Sequence, residues 1–244
     1  MLMKNKSRDT FHFQGIATGK QWSFKNLLKP YPHQVISQQL LKRSDYQMLV
    51  FFFDKREGIG TDIQYQDILY VVEEGEMIIT TKEMKYHLKS GECMVISSGC
   101  EHAMEALKRV WLIQITITGN RETSMKGGKM DTQDLIKNIE KGKSQNLKEL
   151  VAYQEHKVAS LTLIQKDMFS TTIMALDKGT GVGPHICEGD ALVIALEGEG
   201  DVMIGKEHKS VTAGQCIVMP AGIVHAVSGS VDRFKMLLVV SKPE

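Results

Sequence analysis

The sequence is poor in most features that would place it in a special class of protein. Its longest uninterrupted apolar run, residues 48–53, has the length of a strand and is far too short to cross a bilayer. The opening Met1-Leu-Met-Lys-Asn-Lys-Ser-Arg-Asp9 has no apolar segment of the kind that directs export, so neither membrane insertion nor secretion is expected. Only four cysteines occur in 244 residues, Cys93, Cys100, Cys187 and Cys216. They form no disulfide framework for a chain of this size, a usage that fits a reducing, cytoplasmic setting. There is no excess of charge of either sign: 30 Lys and Arg against 29 Asp and Glu leave a formal net charge of +1. With no Lys/Arg run and no basic helix, there is no electrostatic case for nucleic acid and no DNA-binding element for a transcription factor. What remains is a globular composition, long enough for one large or two medium domains, with a small molecule as the expected partner.

The chain contains a repeat. Sliding the sequence by 123 positions aligns its halves without a gap from residue 24 onward. Residues 24–37 fall on 147–160, Asp54-Lys55 on Asp177-Lys178, and Gly58 and Gly60 on Gly181 and Gly183. Asp67, Glu74-Gly75-Glu76, Gly91, Cys93, Gly99 and His102 meet Asp190, Glu197-Gly198-Glu199, Gly214, Cys216, Gly222 and His225. One shift that superposes turn glycines, acids and a histidine together implies two copies of one unit.

Each copy reads as short strands punctuated by Gly and Pro, the pattern of an antiparallel sandwich or barrel, with strands expected near 47–53, 68–72, 77–81, 95–97 and 110–117 and at their partners. Helix signals are confined to the connection. There Asp131-Thr-Gln-Asp-Leu-Ile-Lys-Asn-Ile-Glu-Lys-Gly142 has an acidic first turn, helical apolar spacing and a terminal Gly, which predict a helix near 131–141. The domain organisation is then a tail over 1–23, a first barrel over 24–118, a linker over 119–146 and a second barrel over 147–244. Residues 192–196 are apolar at every position, so both faces of that strand need cover, from the other repeat or from a second subunit in a homodimer.

Two stretches carry the chemistry: Gly179-Thr-Gly-Val-Gly-Pro-His185-Ile-Cys187-Glu-Gly-Asp190-Ala191, and later Gly214-Gln-Cys-Ile-Val-Met-Pro220-Ala-Gly222-Ile-Val-His225. His185 and Cys187 stand two apart on what reads as an extended segment, so both side chains should leave one face. This two-part signature resembles that of the cupin superfamily. The resemblance covers 24–118 and 147–241, and its wording is similar to small bacterial cupins of unassigned function. It implies an all-β fold of two tandem jelly-roll (double-stranded β-helix) barrels, a bicupin.

In the cupin pattern the first motif supplies His, His and Glu and the second a further His, converging on a divalent metal. The matching positions in the second repeat are His185, Cys187, Ala191 and His225. Two imidazoles and a thiolate would carry the charge of a two-His-one-carboxylate iron site and would also suit zinc, so Fe, Zn, Ni or Mn are the metals to consider at His185, Cys187 and His225. Loss of the Glu at Ala191 leaves open a metal-free pocket in which the two histidines hydrogen-bond a ligand or each other. The first repeat offers Asp62, Gln64, Ile68 and His102, with Ser97 for the motif proline and Arg56 for the first glycine, a degenerate site. Two functions follow: a protein that binds or senses a small polar metabolite in the second barrel, or a metal-dependent oxygenase or isomerase using His185, Cys187 and His225. No residue stands out as catalytic.

Other candidates have plainer readings. Cys93 and Cys216 suit core positions. Cys100 and His102 share a strand face and could form a nucleophile and base. His33 and His156 read as structural, His87 and His208 as exposed, and His12 carries no signal. Ala191 and Ala195 would leave room in the barrel, and Val193, Ala195, Val218 and the surroundings of Met236 are candidates for pocket lining.

Overall fold

A computed structural model describes residues 13–118, 136–229 and 232–243. Among these, the first half has a short helix α1 (Phe24–Leu27) and strands β1 (Val35–Lys42), β2 (Tyr46–Phe53), β3 (Gly58–Ile63), β4 (Asp67–Glu74), β5 (Glu76–Thr81), β6 (Lys85–Lys89), β7 (Glu92–Ile96), β8 (Glu101–Ala106) and β9 (Val110–Ile117). The second half has β10 (Gln145–Asn146), a 3-10 turn (Leu147–Leu150), β11 (Val158–Gln165), β12 (Phe169–Leu176), β13 (Gly181–Ile186), β14 (Asp190–Ile204), β15 (Glu207–Thr212), β16 (Cys216–Met219), β17 (Val224–Ser228) and β18 (Phe234–Ser241). Strands of the first half lie in the orders β1-β2-β9-β4-β7-β10 and β3-β8-β5-β6, and those of the second in β11-β12-β18-β14-β17-β13, with β15 and β16 also on β14. These are two antiparallel jelly rolls. The long β14 spans what β4 and β5 do in the first half, passing from one sheet to the other.

The repeat extends to irregularities. The ladder slips at Gln39/Leu41, Ile59/Asp62 and Val72/Glu74, and again at Thr162/Ile164, Val182/His185 and Ala195/Glu197, each pair of slips 123 positions apart. Such bulges aim side chains and set local twist, so their recurrence means that both barrels bend at the same places. Only β9 and β18 are displaced: one extra residue before β18 makes their shift 124, as their pairings Phe53 with Val110 and Leu176 with Phe234 require.

Alternation along the strands divides the core into three. Ile68, Tyr70, Val72, Met94 and Leu112 fill the first barrel. Ala191, Val193, Ala195, Phe234 and Met236 fill the second. The opposite faces meet between the barrels, where Leu69, Val71, Ile113 and Ile115 share one cluster with Leu192, Ile194, Leu237 and Val239. The outer side of the apolar run in β14 is thus covered by the other repeat. Each such fully buried aliphatic side chain contributes roughly 1.5–3 kcal/mol, so the interface is a core in its own right. Cys93 and Cys216 lie within it. Burial pushes the Cys93 thiol up to about 12 and raises that of Cys216 as well, which makes both inert hydrophobes.

The structure differs from the expectation of a tail and a helical linker. Residues 131–135 of the expected helix lie outside the described residues, and from Ile136 onward the chain is not helical: Ile136 bridges to Ile164, and Asn138 has φ 61°. Residues 13–22 and 136–145 are instead equivalent arms. Gln14 N–H donates to Leu40 O at 2.8 Å and Lys137 N–H to Leu163 O at 2.7 Å, so each arm starts on its own barrel. Each then crosses. Gly19 N–H donates to Val218 O and Trp22 exchanges backbone hydrogen bonds with Cys216, while Gly142 N–H donates to Val95 O and Gln145 pairs with Cys93. The helical spacing of Ile136 and Ile139 lost to this strand exchange, in which both side chains enter the shared core.

His33 and His156 are exposed and have φ 57° and 56°. Their backbone N–H groups donate to Asp54 and Asp177 at 3.0 and 2.8 Å, and each carboxylate also accepts from an arginine, Arg109 or Arg233, at 2.9 and 2.8 Å. The histidine matters there for its backbone. His87 and His208 are exposed, His208 pairing with Asp201 at 2.8 Å.

Candidate functional site

The second motif ends in the turn Pro220-Ala-Gly222, whose last residue has φ 75°, a conformation glycine adopts without strain. Buried Asp190 accepts from Ala221 N–H at 2.7 Å, and Gly222 N–H donates to Cys187 O at 2.9 Å. These bonds tie the turn to the start of β14 and the end of the first motif. They fix the entry of β17, which places His225 directly across from His185 on β13.

The two imidazoles are 4.6 Å apart between ring centroids and inclined at 70°. His225 is buried and His185 exposed. The Nδ1 of His185 lies 2.9 Å from Gly183 O, and that of His225 lies 2.9 Å from Ile223 O. A carbonyl oxygen only accepts, so both Nδ1 atoms carry a proton, and Nε2 is the nitrogen of each ring left to accept. Burial, reinforced by the neighbouring His185, holds the pKa of His225 below its ordinary 6.5, which keeps that ring neutral at neutral pH. The arrangement is a pair of acceptors awaiting donors. Ile186 and Val224, the next cross-strand pair, are exposed, and strand alternation puts them on the face opposite the two rings.

Cys187 does not join them in the way its spacing suggests. β13 ends at Ile186, so strand phase no longer governs the next side chain, and Cys187 is half-buried in the turn that follows. Among the described residues, no three His, Cys, Asp or Glu side chains are grouped so as to hold a metal ion. The donor set His185, Cys187 and His225 therefore does not fit a divalent metal in this structure, and two imidazoles are what the fold brings together. Ala191 and Ala195 lie inside the second barrel with Val193 and Met236. Val218 does not: its side chain belongs to the inter-barrel cluster.

The degenerate site of the first barrel is closed by its own side chains. His102 faces Asp62 across β3 and β8 and holds Cys100 O through Nδ1 at 3.1 Å. Its Nε2, however, accepts from the buried Tyr70 hydroxyl at 2.9 Å. Burial raises the Tyr70 pKa, so the phenol stays a donor. Asp62 accepts from Gln64 Nε2 at 2.7 Å and from Ile63 N–H at 2.8 Å. Both nitrogens of His102 being engaged, Cys100 has no base, and the nucleophile reading fails. Tyr70 is the residue that sequence reasoning missed. Its signal was present, since under the repeat shift the tyrosine stands opposite Val193.

A profile of the cupin domain matches residues 172–240, which contain both histidines. Among solved structures, a cupin 2 conserved barrel domain protein from Leptotrichia buccalis superposes with a TM-score of 0.79 at 28% identity, covering 94% of this chain and 100% of that one. Residues 172–240 are a cupin domain, and the chain as a whole has the cupin fold. Other similarities add less. A conserved protein of unknown function, SPY1581 from Streptococcus pyogenes, is 42% identical over 47% of this chain and 99% of its own, with a TM-score of 0.45. A salicylate 1,2-dioxygenase from Pseudaminobacter salicylatoxidans superposes at 0.58 with 12% identity, over 81% of this chain and 71% of that one, a likeness of fold alone. No helix among the described residues is long and apolar enough to cross a membrane.

Proposed function

We propose that the protein binds a small polar metabolite at the His185 and His225 pair of the second barrel. The observation that carries this reading is the orientation of the two rings: both Nδ1–H groups are spent on backbone carbonyls, which leaves the Nε2 atoms to accept from a ligand. A ligand offering hydroxyl or N–H donors would satisfy them. The contrast between barrels supports the choice of site, since the equivalent histidine of the first barrel already has its donor in Tyr70. Binding or sensing accounts for these features without a reaction. The oxygenase or isomerase reading has weaker support because it needs Cys187 as the anionic ligand.

The test is to release and identify small molecules that co-purify with the protein, by native followed by denaturing mass spectrometry, in wild type and in His225→Ala. A bound polar molecule present in wild type and absent from the variant supports the reading. A molecule retained in full by His225→Ala contradicts it.

A further inference from the structure

Between the two barrels lies a cleft of about 430 Å³, bounded by α1, the end of β4, Trp111 of β9 and residues 212–215 before β16. Glu73 lines it. This residue is the one passed over where the β4–β9 ladder slips between Val72 and Glu74, so it puts an acid on the face that Leu69 and Val71 bury against the other repeat. Its repeat counterpart is Leu196, a buried member of the shared core. Among the described residues the Glu73 carboxyl has no hydrogen-bond partner, and burial, opposed only by the more distant Lys148, pushes its pKa up to about 7. An acid with no cation in direct contact is costly in such a place unless something else supplies the charge.

The repeat shows what is missing. Allowing for the extra residue before β18, the counterpart of Trp111 is Lys235. That lysine is buried, donates to Lys148 O at 2.6 Å and sits 4.5 Å from the centroid of the Tyr153 ring. One side of the interface thus carries its own ammonium on an aromatic face. The other has an indole, Trp111, where the lysine stands, and a carboxylate, Glu73, where the first has Leu196. Lys25 at its rim is held by Glu74 at 2.6 Å and lies 5.7 Å from the centroid of the Trp111 ring, so a cation can approach this ring from the cleft.

We propose that the inter-barrel cleft is a second ligand site, for a small organic cation: an ammonium with an aromatic or apolar substituent, with Glu73 as its counter-ion and Trp111 as its aromatic face. The carboxylate offsets the charge of the ligand, and the ring quadrupole adds a cation–π attraction. The groups facing Glu73 are Lys25 from α1, Lys148 from the 3-10 turn, Glu74 from its own strand and the Cys216 thiol from β16. Binding draws Glu73 into its ionised form, so at pH 7 the protonated fraction gives up its proton to solvent as the ammonium enters.

The experiment is calorimetric titration of the full chain with benzylammonium, tetramethylammonium and neutral benzyl alcohol, at pH 6, 7 and 8, in two buffers of different ionisation enthalpy. Benzylammonium is expected to bind with release of protons at pH 7, and about tenfold more tightly at pH 8 than at pH 6, as a carboxyl titrating near 7 requires. Benzyl alcohol should not bind. Glu73→Gln should weaken benzylammonium at least about tenfold. Glu73→Leu, which installs the counterpart residue, should abolish binding and raise the melting temperature. The proposal is overturned if neither cation binds wild type, if benzyl alcohol binds equally well, if no protons are released, or if the Gln and Leu variants bind as wild type does.

Discussion

Tyr46 stacks on Phe169, with ring centroids 4.3 Å apart and planes 25° from parallel, and the two residues are 123 positions apart in the sequence. They are repeat counterparts that meet each other, so the approximate twofold relating the barrels passes between their rings. The Tyr46 hydroxyl goes further and shares a 2.9 Å hydrogen bond with Ser241 at the end of the second barrel. Tyr46 and Phe169 both belong to the core that the two halves build jointly.

Phe169→Ala should therefore cost about 3–5 kcal/mol, the range for emptying an aromatic site in a packed core. Because that core is shared and the arms are exchanged, the loss should be felt by both barrels at once. Denaturant unfolding followed separately by the fluorescence of Trp22 and Trp111 and by far-UV circular dichroism should show coincident transitions in wild type and variant. Two separated transitions would mean that the barrels fold independently.

Tyr70→Phe should destabilise the first barrel by about 1–3 kcal/mol, since it leaves the buried Nε2 of His102 without its donor. The same change should leave ligand binding at the second barrel as it is. Thermal unfolding together with a binding assay checks both halves of this expectation.

Cys187→Ala should leave ligand affinity nearly unchanged, whereas His185→Ala and His225→Ala should each weaken it by about 1–3 kcal/mol. The contrast follows from the geometry, in which the two rings face one another and the thiol lies past the end of β13. Metal analysis of protein purified without chelator, combined with titration of Fe, Zn, Ni and Mn, is the companion measurement. Tight binding of one of these metals that disappears in Cys187→Ala would reverse the contrast.

Acid should weaken the protein through the Asp54 corner. The backbone N–H of His33, followed by the Arg109 side chain, lowers the Asp54 pKa from 3.8 to about 2. A carboxylate depressed by folding contributes stability that is complete above its unfolded pKa and is lost as pH falls through the folded value. The melting temperature of wild type should thus fall between about pH 4 and pH 2, and Asp54→Asn should flatten that part of the profile.

Much of the fold was legible because a repeat is self-referential evidence. A glycine or an acid that recurs at one spacing states a backbone requirement twice, which is why the barrels, the motif turns and the pairing of His102 with His225 could be read directly. The arms were not legible in the same way. Gly19 does recur as Gly142 and Lys20 as Lys143, but most of the residues around them diverge. Ile136 and Ile139 fit a helical period and the strand exchange equally well, and only the neighbouring barrel decides between the two. Cys187 was misplaced for a related reason. Its phase with His185 holds only while the strand continues, and nothing local marks Ile186 as the end. Glu73 was invisible because a β-bulge shifts which side of the ladder a residue faces, and one sequence does not show where a bulge falls.

The measurement that bears most directly on the central claim is nitrogen-15 NMR of the histidine rings during titration with hydroxylated and amino-bearing polar metabolites. In the free protein His185 and His225 should both show a protonated Nδ1 and a bare Nε2. A metabolite that binds should shift the Nε2 resonances of those two residues while leaving His102, already bonded to Tyr70, where it was. Protonated Nε2 atoms in the free protein, or a bound metabolite that moves His102 and leaves His185 and His225 unchanged, would contradict the account.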